Sequence, residues 1–149
     1  MLPAITVHNQ NGKSIELAKI GVPTVVYFYP KDDTPGCTVE AKGFRDSWKT
    51  LSAMGVYLLG VSADDAASHQ AFAEKYQLPF DLVADTDKEL AKAFGVPSTL
   101  GFFKRMTFVA DEKGRIIKVY REVEPANHAR ELSRCLKRAG LSAVCMASR

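Results

Sequence analysis

One stretch of this chain limits its fold more than any other. Residues 24–29, Thr-Val-Val-Tyr-Phe-Tyr, are apolar and β-prone, and the run stops at Pro30. A polar loop follows, and Thr34-Pro35 then opens a helix. Thr is a favoured N-cap, and Pro suits the first helical position, where its missing N–H would have had no partner anyway. Helical spacing of Ala41, Phe44, Trp48 and Leu51 carries this helix from Pro35 to about Ala53. A second buried-type strand follows over residues 56–61. A strand, a short loop, a long one-faced helix and another buried strand require a layered α/β arrangement.

The rest of the chain continues the alternation. Residues 5–7 and 14–17 flank Asn11-Gly12, a hairpin turn signal. A helix is expected from Ala66 to Tyr76, ended by Leu78-Pro79, then a short strand at Leu82-Val83. Asp85 or Thr86 is expected to cap a helix over Lys88 to Phe94, closed by Gly95. Strands over 107–110 and 116–120 are joined by Asp-Glu-Lys-Gly-Arg, a second hairpin signal. Pro125-Ala126-Asn127 opens the last helix, which Gly140 ends, and a mobile tail is expected from about 141. The reading is one α/β domain over 1–149, with helices flanking a central mixed β-sheet.

Cys37 lies in the first turn of the long helix. Unpaired N–H groups and the positive end of the helix dipole favour a negative charge there, and the thiolate is the reactive form of cysteine. Cys37 is one turn before Ala41, so the thiol is expected to face inward, towards a pocket. The order strand, loop, cap and cysteine suits a nucleophile better than a buried filler.

Composition excludes several other classes. A net charge of +3, with basic residues spread among acids, is no nucleic-acid footprint. No apolar run approaches the roughly 20 residues of a membrane span. Residues 1–5 lack the basic start and apolar centre of a secretory leader. The three cysteines, at 37, 135 and 145, are too few and too widely spaced for a disulfide framework. His128, Cys135 and Cys145 lack the close ligand pair of a zinc site. No metal or cofactor is expected, and a reducing cytoplasm is the default location.

The spacing Pro30-x-x-x-Thr34-x-x-Cys37 resembles the signature of the peroxiredoxins. The run Tyr27 to Ala41, with Gly43-Phe44-Arg45-Asp46 after it, is similar to the PrxQ branch, also called bacterioferritin comigratory protein. Further similarities are Gly60-Val61-Ser62, Ser68-His69, the run Glu74 to Phe80, Phe94-Gly95-Val96 and Arg105 to Phe108. The resemblance implies a thioredoxin-like fold of the peroxiredoxin type. It also implies a thiol-dependent peroxidase that reduces hydrogen peroxide and small organic hydroperoxides through a sulfenic acid on Cys37.

The resemblance implies roles for particular residues. The Thr34 hydroxyl would be directed at the peroxide, and could also cap the helix. The N–H groups of Gly36 and Cys37 would point into the pocket, with Gly36 allowing close approach of substrate. Pro30 would offer an apolar wall. Arg105 would contact the thiolate and the peroxide oxygen, and Glu40 would orient Arg105. Arg45 lies about two turns past Cys37, too far to serve. His69 falls on a helix of exposed character and is set aside as a base, since the thiolate is already formed. Tyr29 is expected to pack rather than react.

One departure matters. Many members of the branch carry a resolving cysteine five positions after the first, where this chain has Lys42. Others carry it on the next helix, where this chain has Gln70, Lys75 and Gln77. The expectation is therefore a one-cysteine enzyme resolved by an external thiol: thioredoxin, glutaredoxin or glutathione. Cys145 in the tail is the next candidate. Cys135 shares an apolar stripe with Leu132, Leu136 and Ala139, and reads as a core thiol. Two other classes remain: a peroxide sensor or redox relay passing oxidation to a partner protein, and a binding module without turnover. A monomer or weak homodimer is expected.

Overall fold

The computed structural model describes residues 2–132. In chain order the elements are β1 (Thr6–His8), β2 (Ser14–Glu16), β3 (Thr24–Phe28), α1 (Pro35–Ala53), β4 (Tyr57–Ser62), α2 (Ala66–Tyr76) and β5 (Asp81–Ala84). They continue with α3 (Glu89–Phe94), β6 (Ser98–Thr99), β7 (Phe102–Phe103), β8 (Met106–Ala110) and β9 (Ile116–Tyr120). Residues 125–127 form a turn, and 128–132 are helical. The expected tail, Cys135 and Cys145 lie outside the described residues.

A five-stranded mixed sheet in the order β5-β4-β3-β8-β9 forms the centre. β3 is parallel to β4, and β4 to β5, while β3–β8 and β8–β9 are antiparallel. All five residues of β3 are buried, as a central strand covered on both faces requires. Side chains alternate across it, so the core divides in two. Val25, Tyr27 and Tyr29 pack with Phe44, Leu51, Phe72 and Leu82 under α1 and α2. Val26 and Phe28 pack with Leu59, Val61, Leu90, Phe103 and Phe108 on the α3 side. Helices thus flank a central mixed sheet, the arrangement expected of a thioredoxin-like fold.

Two local expectations need correction. The residue preceding α3 is Lys88, in left-handed conformation at φ 62°, and it makes no side-chain cap. Asp85 satisfies the helix start from further back, accepting from the N–H groups of Leu90 (2.9 Å) and Ala91 (2.8 Å). The second correction is the β6–β7 hairpin, which sequence reasoning missed. Its turn is Leu100-Gly101, both at positive φ. A leucine stands where Asn, Asp or Gly would have signalled the turn, and its side chain is 92% exposed.

Candidate active site

Register explains how two distant residues meet. Phe28 pairs with Met106 across the β3–β8 ladder. Arg105, just before β8, therefore lies beside the point where the chain leaves β3 for the Cys37 loop. α1 begins at Pro35, seven residues after Phe28, and Cys37 is its third residue, 1% exposed. Arg105 Nη2 donates to Cys37 Sγ at 3.2 Å, and Nη1 donates to Glu40 Oε1 at 2.8 Å. Glu40, one turn along α1 from Cys37, is 1% exposed and meets Arg105 as the resemblance implied. Burial pushes its carboxyl up to about 7, against the opposing pull of Arg105. Its second oxygen, Oε2, has no hydrogen-bond partner among the described residues.

Gly36 lies against Arg105. A β-carbon built there would lie 2.6 Å from Arg105 Nη2. The missing side chain makes room for the guanidinium. Thr34 differs from expectation. It precedes α1 with extended backbone, but its hydroxyl caps nothing. Oγ1 instead donates to Lys31 O at 2.9 Å, which leaves its lone pairs free of any backbone donor. The Thr34 carbonyl accepts from Thr38 N at 2.8 Å as the first bond of the helix. Pro30, half-buried, ends the apolar run of the strand.

The loop over 30–34 is fastened from below. Asp32 Oδ1 accepts from Tyr29 Oη at 2.6 Å, and Oδ2 accepts from Ser68 Oγ at 2.8 Å. Asp32 N donates to Asp64 Oδ2 at 2.8 Å. His69 is not exposed: it is fully buried, with Nδ1 2.7 Å from Asp32 Oδ2 and Nε2 2.8 Å from Val83 O. Both ring nitrogens thus face acceptors, and one proton must lie in the short His69–Asp32 contact. Tyr29 packs, as expected, and its hydroxyl serves this network. The ligand-type atoms of Asp32, Asp64 and His69 fall within 4.8 Å of one another. Each already has partners inside the network, so the cluster reads as a loop fastening rather than a metal centre.

The remaining candidates fall away from the thiol. Arg45 is engaged elsewhere, donating to Tyr76 O at 2.9 Å and to Asp46. His128 is buried, its Nε2 2.8 Å from Thr107 Oγ1, and burial pushes its imidazole down to about 4. Lys42 is exposed, with Nζ 5.9 Å from the centre of the Tyr76 ring.

A buried first-turn cysteine under a guanidinium from the neighbouring strand defines a thiol-based site on a thioredoxin-like sheet. Comparison with known proteins agrees. The AhpC/TSA family matches residues 1–119. A chloroplastic Peroxiredoxin Q of Triticum aestivum is 46% identical over 133 residues, which cover 87% of this chain and 61% of that protein. A putative peroxiredoxin bcp of Coxiella burnetii is 41% identical over 138 residues, covering 87% of this chain and 91% of that one. Among solved structures, a cysteine-to-serine mutant of Xanthomonas campestris Peroxiredoxin Q superposes with a TM-score of 0.85 at 35% identity, covering 93% of this chain and 96% of that one. Peroxidoxin BcpB of Mycobacterium tuberculosis gives 0.80 at 30% identity, covering 97% and 93%. This chain belongs to the AhpC/TSA family, in its Peroxiredoxin Q and bacterioferritin comigratory protein branch. It spans 61–66% of the length of the first three plant relatives.

Proposed function

We propose that this protein is a thiol-dependent peroxidase acting on hydrogen peroxide and small organic hydroperoxides. The observation that carries the reading is the position of Arg105, 3.2 Å from Cys37 Sγ and held there by Glu40. A cation at that distance favours the thiolate and stabilises the oxygen that departs. In the proposed step, Cys37 Sγ attacks the terminal peroxide oxygen. An S–O bond forms, the O–O bond breaks, and the departing oxygen takes a proton to leave as alcohol or water. Thr34, whose lone pairs are free, accepts from the peroxide O–H and aligns it. The N–H groups of Gly36 and Cys37, unpaired at the helix start, complete the cradle. A related structure from Xanthomonas campestris is described for its alkyl peroxide reduction activity, which supports this substrate class.

Resolution is proposed to need an external thiol, such as glutathione or a thioredoxin or glutaredoxin. No cysteine lies between positions 38 and 134. The thiol attacks the sulfenic acid, releases water and leaves a mixed disulfide, which a second thiol reduces. Mass spectrometry after one equivalent of peroxide tests the reading. We expect a gain of one oxygen on Cys37, lost again on addition of thiol. No oxygen on Cys37, or unchanged peroxide consumption in Cys37→Ser, overturns it.

A further inference from the structure

We propose that Cys37 and Glu40 share a single negative charge opposite Arg105: Glu40 holds a proton while Cys37 is a thiolate, and gives it up when Cys37 is oxidised. The second half of this proposal rests on the peroxidase reading above; the first half stands on geometry alone.

Two acidic groups face one cation. Arg105 reaches Cys37 Sγ at 3.2 Å and Glu40 Oε1 at 2.8 Å, and each acid is 1% exposed. With both ionised, the cluster would carry a net negative charge out of water, where such charge is expensive. With one ionised, the cluster is neutral. Among the described residues Glu40 Oε2 receives no hydrogen bond, and Arg105 is the cation that stabilises the Glu40 carboxylate. The raised titration of Glu40, to about 7, agrees with a carboxyl that protonates readily. The other nearby groups do not take up the charge. Tyr27, from β3, is held neutral: burial drives its hydroxyl well above its usual range, and Glu40, Cys37 and Asp32 push in the same direction. Asp32, from the loop, is occupied by Tyr29, Ser68 and His69.

The proton count of the reaction then closes inside the site. Oxidation turns a thiolate into a neutral sulfenic acid, and the departing alkoxide or hydroxide takes up one proton. Glu40 loses one proton in the same turnover and becomes the anion that pairs with Arg105. Reduction by two thiols regenerates the thiolate, forms water and a disulfide, and frees one proton, which returns to Glu40. Arg105 faces one anion throughout. Both acids draw on the same guanidinium, so a change of charge at one alters what Arg105 offers the other.

Infrared difference spectroscopy of the whole protein tests this, following the carboxylic-acid C=O stretch. In reduced wild type near neutral pH the band should be present, and it should be lost as Cys37 gains one oxygen from hydrogen peroxide. Glu40→Gln should lack the band change. Cys37→Ser removes the thiolate and barely alters packing, so its Glu40 band should titrate at least one pH unit lower than in wild type. A band that persists after Cys37 has gained its oxygen overturns the proposal while leaving the peroxidase reading intact. An identical titration in Cys37→Ser and wild type overturns it too. If Cys37 gains no oxygen, the peroxidase reading fails, and the Cys37→Ser comparison still decides whether the charge is shared.

Discussion

Gly36 and Arg105 compete for one space: a β-carbon on Gly36 would lie 2.6 Å from Arg105 Nη2. Gly36→Ala should therefore push the guanidinium away from Cys37 without disturbing the sheet. We expect oxidation of Cys37 to slow by roughly ten- to a hundredfold, about 1.4–2.7 kcal/mol of barrier. Gly43→Ala is the control, because among the described residues a β-carbon there meets only Ala129 Cβ, at 3.4 Å. Stopped-flow oxidation rates decide it, and equal rates in the two variants would remove Arg105 from the account.

Arg105→Met keeps the length of the side chain and deletes its charge. Neutral-pH alkylation of Cys37 should slow, and peroxide oxidation should fall by about a hundredfold or more, as when a donor to a developing oxyanion is lost. The variant also leaves Glu40 buried without its cation. Removing one partner of a buried pair is strongly destabilising while the other stays charged. The loss of stability should therefore be larger at pH 8 than at pH 5, where Glu40 protonates. Urea melts at the two pH values measure it.

Much of this architecture was legible in the sequence, and the exceptions share a cause. α1 and α2 begin and end at Pro35, Ala53, Ala66 and Tyr76, as capping and periodicity predict. Local signals fix local elements. Arg105 reached Cys37 in the sequence reading only by resemblance, because the contact depends on β3–β8 register across nearly eighty residues, which no local pattern encodes. His69 was misjudged through its polarity, whereas Glu40 meets Arg105 as the resemblance implied. His69 falls three residues before Phe72, and Glu40 four before Phe44, so both occupy the inward stripes of their helices. The spacing already placed them inside; what it could not supply was the partners, Asp32 and Val83 for His69 and Arg105 for Glu40, that make burial tolerable. The Thr34 hydroxyl turned to Lys31 O, a choice that rests on the loop path rather than on the residue type.

Glu40 ties stability to pH. Its carboxyl titrates at about 7 in the folded chain, above its ordinary 4.5. The folded state then binds more protons between those values, so the contribution of Glu40 is fully present below pH 4.5 and is lost as pH rises through 7. The loss is on the order of 3 kcal/mol at most. Glu40→Gln cannot titrate, so relative to wild type it should gain stability between pH 5 and pH 8. Denaturant midpoints at both values check this, and a constant difference would contradict the raised titration.

His128 acts in the opposite sense. Burial lowers its imidazole from 6.5 to about 4. The folded state binds fewer protons in that window, so the stability is present above pH 6.5 and is lost as pH falls through 4. His128→Gln offers an amide towards Thr107 without the titration. Its stability should fall less than wild type between pH 6.5 and pH 4. Parallel curves for the two proteins would show that another group carries the acid sensitivity.

Recycling is where this chain should differ from two-cysteine relatives. Position 42 lies five residues past Cys37, a rise of about 7.5 Å with a turn of about 140° away from it. A disulfide between such positions needs Cα atoms within about 7 Å, so the helix start must unwind to form one. Here the same region is tied to the end of α2. Asp33 pairs with Lys75 and Tyr76 at 2.7 Å each, Arg45 donates to Tyr76 O, and Lys42 lies over the Tyr76 ring. These contacts, the Asp33 pairs exposed and the Arg45 bond part-buried, are of modest individual strength, but they all oppose the same motion, and this chain has no thiol at position 42 to gain from it. α1 should therefore keep its amide-exchange protection on oxidation, and turnover should stop without added thiol. Unresolved sulfenic acid reacts again with peroxide, so excess peroxide should drive Cys37 to sulfinic acid. Mass spectrometry across a peroxide series follows that step. Cys135→Ser and Cys145→Ser should leave thiol-driven turnover intact. A Cys37–Cys145 disulfide as the main oxidised species, or recycling abolished by Cys145→Ser alone, would replace the external-thiol route with an internal one.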